Sequence, residues 1–313
     1  MSSTEFKNRV YGCVVVKAIN ANYNADFNGL PRRLKSDGSF YATDKSFKWL
    51  VRNYIKKNQE NEKILFTKQL NENFEAIDLD KAFDKLEQKE NVLFTLLECI
   101  DVRLFGATFT AKGKNLSLHG VVQVNHATDL FGKGKVYTDE ILAPFTAIGS
   151  MSKATEVHYI HNFSINPKNL SNWKSVIKKK EAKKEKTLLD NNQEDSLNLL
   201  SSNDIIVLKN AFNNAATFYD SHSKSGVENE LSIYVTLNEN SILTLPSFTQ
   251  FIKFKKGENG EKNSFDLSEL ISYLNKYNNE IASIEIYVIE ELIDLIYDSQ
   301  NLNIQIFDLS QTV

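Results

Sequence analysis

Nearly every position from Val10 to Ile19 is apolar, with Val14-Val15-Val16 at the middle, so the run has no polar face. Such a run predicts a central strand covered on both sides. Residues 20–33 are rich in Asn and carry Gly29 and Pro31, the composition of an irregular loop. Asp44 is then expected to cap a helix reaching about Lys57, with Phe47, Val51, Tyr54 and Ile55 as its buried stripe. The same spacing gathers Lys45, Lys48 and Arg52 on another side of that helix. Further on, residues 63–70 predict a strand, and residues 78–88 and 91–104 predict two helices, the second ending at Gly106. Strand patterning returns at 116–125, 156–165 and 231–237, with a helix over 203–218 before the last. A helix near 267–277 and strands at 284–289 and 304–309 complete the pattern. Strands interleaved with helices indicate an α+β or α/β fold and exclude a helical bundle or β-sandwich.

The 313 residues are 42% hydrophobic and 25% charged, which predicts a folded chain rather than a disordered one. Cys13 and Cys99 each lie in an apolar run and read as small buried hydrophobes, which suits a reducing cytoplasm. No apolar stretch reaches membrane-spanning length, so neither export nor insertion is expected. A net charge of -3 argues by itself against nucleic-acid binding, but the charge is segregated. Residues 1–58 carry 11 Lys+Arg against 4 Asp+Glu, and residues 102–187 carry 14 against 6. The intervening 59–101 carry 5 against 11, and 188–313 carry 7 against 19. Two basic stretches can therefore face phosphate while the acidic ones meet solvent or protein. Residues 174–203 hold a Lys/Glu run and then a Ser/Asn/Asp-rich stretch, which predicts an exposed insertion.

Catalytic constellations are missing. His158 and His161 fall on opposite faces of a predicted strand, and His119 and His126 lack Cys or carboxylate neighbours at ligand spacing. No phosphate-binding Gly-rich loop or nucleophile elbow occurs, and Gly132-Lys133-Gly134-Lys135 reads as a basic loop. Asp26, beside Arg32, Arg33 and Lys35, either orders the long loop or acts on a bound strand.

Four features then stand in a fixed order: the first strand with its loop ending Asn28-Gly29-Leu30-Pro31-Arg32-Arg33 and the basic helix; Asp101-Val102-Arg103-Leu104-Phe105-Gly106-Ala107; Gly120-Val121-Val122-Gln123-Val124-Asn125 with Gly149-Ser150-Met151-Ser152-Lys153; and Ser221-His222-Ser223-Lys224-Ser225-Gly226. In this order and spacing the chain resembles the Cas-seven family, the backbone subunits of type I CRISPR Cascade complexes, and in particular the Csh-type member of subtype I-B. The resemblance implies an RNA-recognition-motif-like (ferredoxin-like) palm in a single domain over 1–313. A helical insertion at about 59–102, a β-hairpin thumb at 129–153 and the charged insertion at 174–203 would interrupt it. It further implies a non-catalytic cytoplasmic protein without cofactor, metal or membrane contact. Its partners would be a CRISPR guide RNA (crRNA), copies of itself in a helical filament, other Cascade subunits and, through the guide, target DNA in antiviral defence. Alternative readings are a metal-dependent ribonuclease of the type III backbone kind using Asp26, and a ferredoxin-like module for protein interaction.

A scaffold for any guide must hold phosphate and sugar, leaving base edges free to pair. Arg32, Arg33, Lys35, Lys45, Lys48 and Arg52 supply cations, and Lys133, Lys135 and Lys153 add more near the thumb. Arg103 can fork to phosphate where Gly106 permits close approach, or serve as a structural ion pair. Ser221, Ser223, Lys224, Ser225 and Gly226 form a loop suited to cradling phosphate, or a plain turn. Gln123 and Asn125 share one strand face. Phe131, Met151 and Ile148 are candidates for a wedge beneath a splayed base.

Overall fold

The computed structural model describes residues 4–87, 92–110, 113, 115–142, 148–170, 200–299 and 301–311. Strand β1 (Val10–Ala21) lies at the centre of the main sheet and explains its own composition. Val10, Val14, Val16 and Ala18 face one hydrophobic cluster, while Tyr11, Cys13 and Val15 face another. A strand covered on both sides needs apolar residues at every position. Gly12 has no room for a side chain, since a Cβ would lie 2.1 Å from the Ile233 carbonyl oxygen.

After β1 the chain forms β2 (Tyr41–Ala42), helix α1 (Asp44–Asn58), the short helices α2 (Leu79–Asp84), α3 (Val92–Leu97) and α4 (Ile100–Phe105), and a hairpin of β3 (Gly106–Phe109) with β4 (Leu116–His119). Then come β5 (Val122–Val124), β6 (Ala127–Asp129), β7 (Val136–Leu142), β8 (Ile148–Ile165), α5 (Ser202–Phe218) and β9 (Val227–Leu237). The inner order β9-β1-β8-β6 is antiparallel throughout, with α1 and α5 packed together beneath one face. β8 outruns the sheet: its first residues pair with β7 from Val136↔Ala154 to Leu142↔Ile148, a hairpin beyond the edge of the core.

The last stretch covers the other face. Strands β10 (Lys253–Lys255), β11 (Asn263–Asp266) and β13 (Ile293–Ile296) make a small sheet that, with α6 (Ser268–Asn275), packs on Cys13, Val15, Ile160 and Ile233. β12 (Ile281–Val288) and β14 (Ile304–Asp308) extend the main sheet beyond β9.

Several expectations need correction. Thr43, not Asp44, caps α1, accepting a hydrogen bond from the Ser46 amide, and Asp44 is the first helical residue. Residues 63–70 form no strand; the Asp101 carboxylate instead accepts from the Leu65 and Phe66 amides at 3.0 and 2.9 Å. The helix expected over 91–104 breaks at Cys99, which is extended (φ -87, ψ 122) and pairs with Lys63 in a parallel bridge. The strand expected over 116–125 divides at Gly120 and Val121. Most of the 174–203 insertion, including Lys178 to Lys186, lies outside the described residues, but Leu200 is buried and Ser201 already caps α5.

Both cysteines are buried and free. His158 and His161 are buried on opposite faces, as alternation requires. Burial holds His161 down at about 4, and its ring stacks on Phe47 at 4.7 Å, accepts from the Tyr23 hydroxyl and donates to the Asn125 carbonyl. Burial would also lower His158, but Glu230 at 2.5 Å and Glu156 at 3.2 Å outweigh it and raise its pKa. Among the described residues, no helix is long and apolar enough to cross a membrane.

Candidate nucleic-acid interface

Helix α1 exposes the side opposite its Phe47–Leu50–Tyr54 stripe, and the β3–β4 hairpin with its preceding helix stands against that side. Between them lies a cleft of about 480 Å³ lined by Asp44, Lys45, Lys48, Trp49, Arg52, Phe66 and the segment 105–108. Three aromatic rings are thus set among three cations. Arg52 lies 5.1 Å from the Phe105 ring centre and 5.8 Å from that of Phe66, and Lys48 lies 5.7 Å from Phe105. Trp49 is 38% exposed and stands edge-on to Tyr219 at 4.8 Å. Lys45 is exposed, Lys48 bridges Asp44 at 3.0 Å, and Arg52 donates to Asp101 at 3.1 Å. Burial alone would raise Asp44, but Lys48 and His126 lower its pKa and keep it charged. Rings and cations together suit the base faces and phosphates of a single strand.

Arg103 does not line this cleft. Its guanidinium is buried and grips Asp204 through two hydrogen bonds of 3.2 and 2.7 Å, with further bonds to the Leu97 and Glu98 carbonyls and to Glu62. That is the structural ion pair, across 101 residues of sequence. Gly106 has a structural role too, at φ 74, where a Cβ would lie 2.2 Å from the Leu118 carbonyl oxygen and 2.4 Å from the Gly120 nitrogen. Its freedom admits the chain's own backbone.

A second locus forms where two loops meet the β7–β8 hairpin beyond the far end of β1. The Asn22 side chain donates to the Gly29 and Ser152 carbonyls, and its amide donates to the Ser223 carbonyl. Lys224 donates to the Tyr23 carbonyl at 2.6 Å and more weakly to Asn22 at 3.4 Å, so its ammonium ties loop to loop. Burial lowers its pKa to about 8. Ser221 and Ser225 shape the turn, the Ser221 carbonyl accepting from the Lys224 and Ser225 amides, and Gly226 (φ 95) lies against the Ile19 carbonyl. Two buried oxygens here, Asn22 Oδ1 and Ser221 Oγ, have no partner among the described residues. Asn24 connects the loci, its side chain accepting from the Thr43 amide and hydroxyl at the start of α1.

The other predicted residues scatter around these loci. Arg32 lies near the Tyr41 hydroxyl at 3.4 Å, Arg33 donates to the Gly38 carbonyl and Lys35 is exposed. Lys133 and Lys135 are exposed beside the hairpin, Lys153 approaches Asp139 at 3.9 Å, and half-buried Met151 stands opposite Asp139. Phe131 packs on His158 and Phe254, so it belongs to the base of the hairpin, and the Ile148 side chain is outside the described residues. Gln123 and Asn125 line a separate cleft of about 150 Å³ with Tyr11, Asn162 and Ser247. Asp26 orders its own loop, Oδ1 accepting from the Asn28 and Leu30 amides at 2.8 and 2.9 Å.

Trp49 and Phe66 were not singled out by sequence. An exposed Trp among helix lysines was the available sign for Trp49; Phe66 gave none, because only the fold brings it to α1.

A family model described as CRISPR-associated protein Cas7 matches residues 8–290. Among solved structures, the chain is similar to a chain of a "CRISPR RNA-guided surveillance complex", with TM-score 0.51 and 14% identity over 96% of this chain and 94% of that one. It is likewise similar to a chain of a "CRISPR RNA-guided surveillance complex, pre-nicking", with TM-score 0.54 and 11% identity over 96% of each. At such identities the likeness is one of fold. None of the curated proteins matches.

Proposed function

Because the chain belongs to the CRISPR-associated Cas7 family, we propose that it is a non-catalytic, crRNA-binding backbone subunit of a type I Cascade, Csh-type and subtype I-B, acting in the cytoplasm. The observation that carries this reading is the α1 cleft, where Lys45, Lys48 and Arg52 border a wall of Trp49, Phe66 and Phe105. Cations take phosphate and rings take base faces, neither of which depends on sequence. Copies assembled along one guide would leave its base edges free for target DNA.

The β9-β1-β8-β6 core with its two helices supports an RNA-recognition-motif-like palm. Such palms stack bases on the open sheet face, which residues 243–277 and 293–297 cover in this chain. The guide is therefore assigned to the helix side and the junction of the two loops with the hairpin. The β7–β8 hairpin, arising at that junction, serves as the thumb.

Lys45→Ala combined with Lys48→Ala tests the assignment in a titration of guide RNA against salt. Each lost phosphate contact should lower the slope of log K against log salt by about 0.7, so about 1.4 for the pair. Affinity should fall alike for unrelated guide sequences. An unchanged slope, or a loss confined to certain sequences, would count against phosphate gripping.

A further inference from the structure

We propose that the outer edge of β14 receives an extended, lysine- or arginine-bearing segment of a partner protein, which adds to the main sheet as a further strand. β14 ends the strand order β14-β12-β9-β1-β8-β6-β2, and among the described residues nothing pairs with its outer side. The Asn303 carbonyl accepts from the Ile284 amide and the Leu309 amide donates to the Val288 carbonyl, so both turn inward to β12. In a parallel ladder the direction alternates, which turns the Ile306 amide and carbonyl outward.

Exposed edges are ordinarily blunted by lysine, proline or a bulge. Ile304-Gln305-Ile306-Phe307-Asp308 has neither residue, and its register to β12 is unbroken. Phe307 is 40% exposed and stacks on Tyr287 at 5.0 Å, extending an apolar surface along the edge. Charge selects the occupant. From Tyr277 to Val313 the sequence has seven Asp+Glu and not one Lys, Arg or His; Lys209 offsets Glu285 and Lys262 offsets Asp294, which leaves Asp308 on β14, with Glu290 and Glu291 just past the Val288–Asp308 pair, as the charge nearest the edge. Nucleic acid is repelled by such a segment, and two copies meeting through β14 would bring two acidic edges together. A basic strand gains main-chain hydrogen bonds and complementary charge at once.

The test is fluorescence anisotropy of the full chain with three labelled peptides: Lys-Val-Lys-Val-Lys-Val-Lys, its Glu-for-Lys analogue, and the Lys peptide N-methylated at alternate residues. The Lys peptide should bind at least about tenfold more tightly than either control at about 0.1 M salt. Ile306→Pro should abolish that preference with the fold intact by circular dichroism, and exposed Asp308→Lys should weaken Lys-peptide binding without touching the ladder. Equal binding of the N-methylated peptide would overturn strand addition, and equal binding of the Glu peptide would overturn the basic occupant. Absence of binding by the Lys peptide would overturn both.

Discussion

Arg103→Met removes the guanidinium that neutralises Asp204, whose side chain is only 3% exposed, together with the bonds to the Leu97 and Glu98 carbonyls. Breaking a buried pair from one side strands a charge and costs about 3–5 kcal/mol. For a chain of this size 1 kcal/mol corresponds to roughly 2 °C, so the thermal midpoint should fall by about 6–10 °C. Asp204 also closes the N-cap of α5 with Ser201, and Asp204→Asn keeps that geometry while removing the charge. Adding Asp204→Asn to Arg103→Met should therefore restore about 1–2 kcal/mol. Guide RNA affinity, measured well below the midpoint, should stay within about twofold of the parent because the ion pair lies outside the cleft. Scanning calorimetry and RNA titration decide together. A midpoint unmoved in Arg103→Met, with RNA binding lost, would refute the structural role.

Gly106→Ala places a Cβ against the Leu118 carbonyl at positive φ, and should cost about 2–4 kcal/mol in urea unfolding. His161 is neutral in the fold, with its pKa lowered from 6.5 to about 4, so unfolding binds a proton between those values. Its stabilising contribution is complete above pH 6.5 and is lost as pH falls toward 4, by about 3 kcal/mol in all. His161→Phe, which keeps a ring on Phe47, should remove that part of the acid slope in unfolding titrations. His158 runs the other way, since its raised pKa gives stability that is complete below pH 6.5 and lost as pH rises through the folded value. His158→Gln should accordingly flatten the alkaline limb.

Sequence revealed the elements whose pattern is local. β1 declared itself because both faces are covered, and α1 because a buried apolar stripe opposes its cations. What it concealed depends on contacts distant in the chain. The break at Cys99 follows from pairing with Lys63, and the irregular path at 63–66 from the Asp101 carboxylate. Arg103 and Gly106 were visible as a motif, but their partners Asp204 and Gly120 arrive from elsewhere and turn both inward. The cleft was foreshadowed as two separate pieces, the α1 cations and the residues around Phe105. Their adjacency, and Phe66 between them, appear only in three dimensions. The Ser/Lys/Gly loop that carries Lys224 suited either a phosphate cradle or a plain turn, and the Lys224 ammonium fastens that loop to the end of β1.

Photocrosslinking a guide RNA carrying 4-thiouridine to the assembled protein, followed by peptide mass spectrometry, tests the central claim most directly. Crosslinks should map to the peptides carrying Trp49 and Phe105, on the cleft beside α1. Crosslinks confined to residues 243–277 and 293–297, with none on α1, would place the guide on the opposite face and contradict the account.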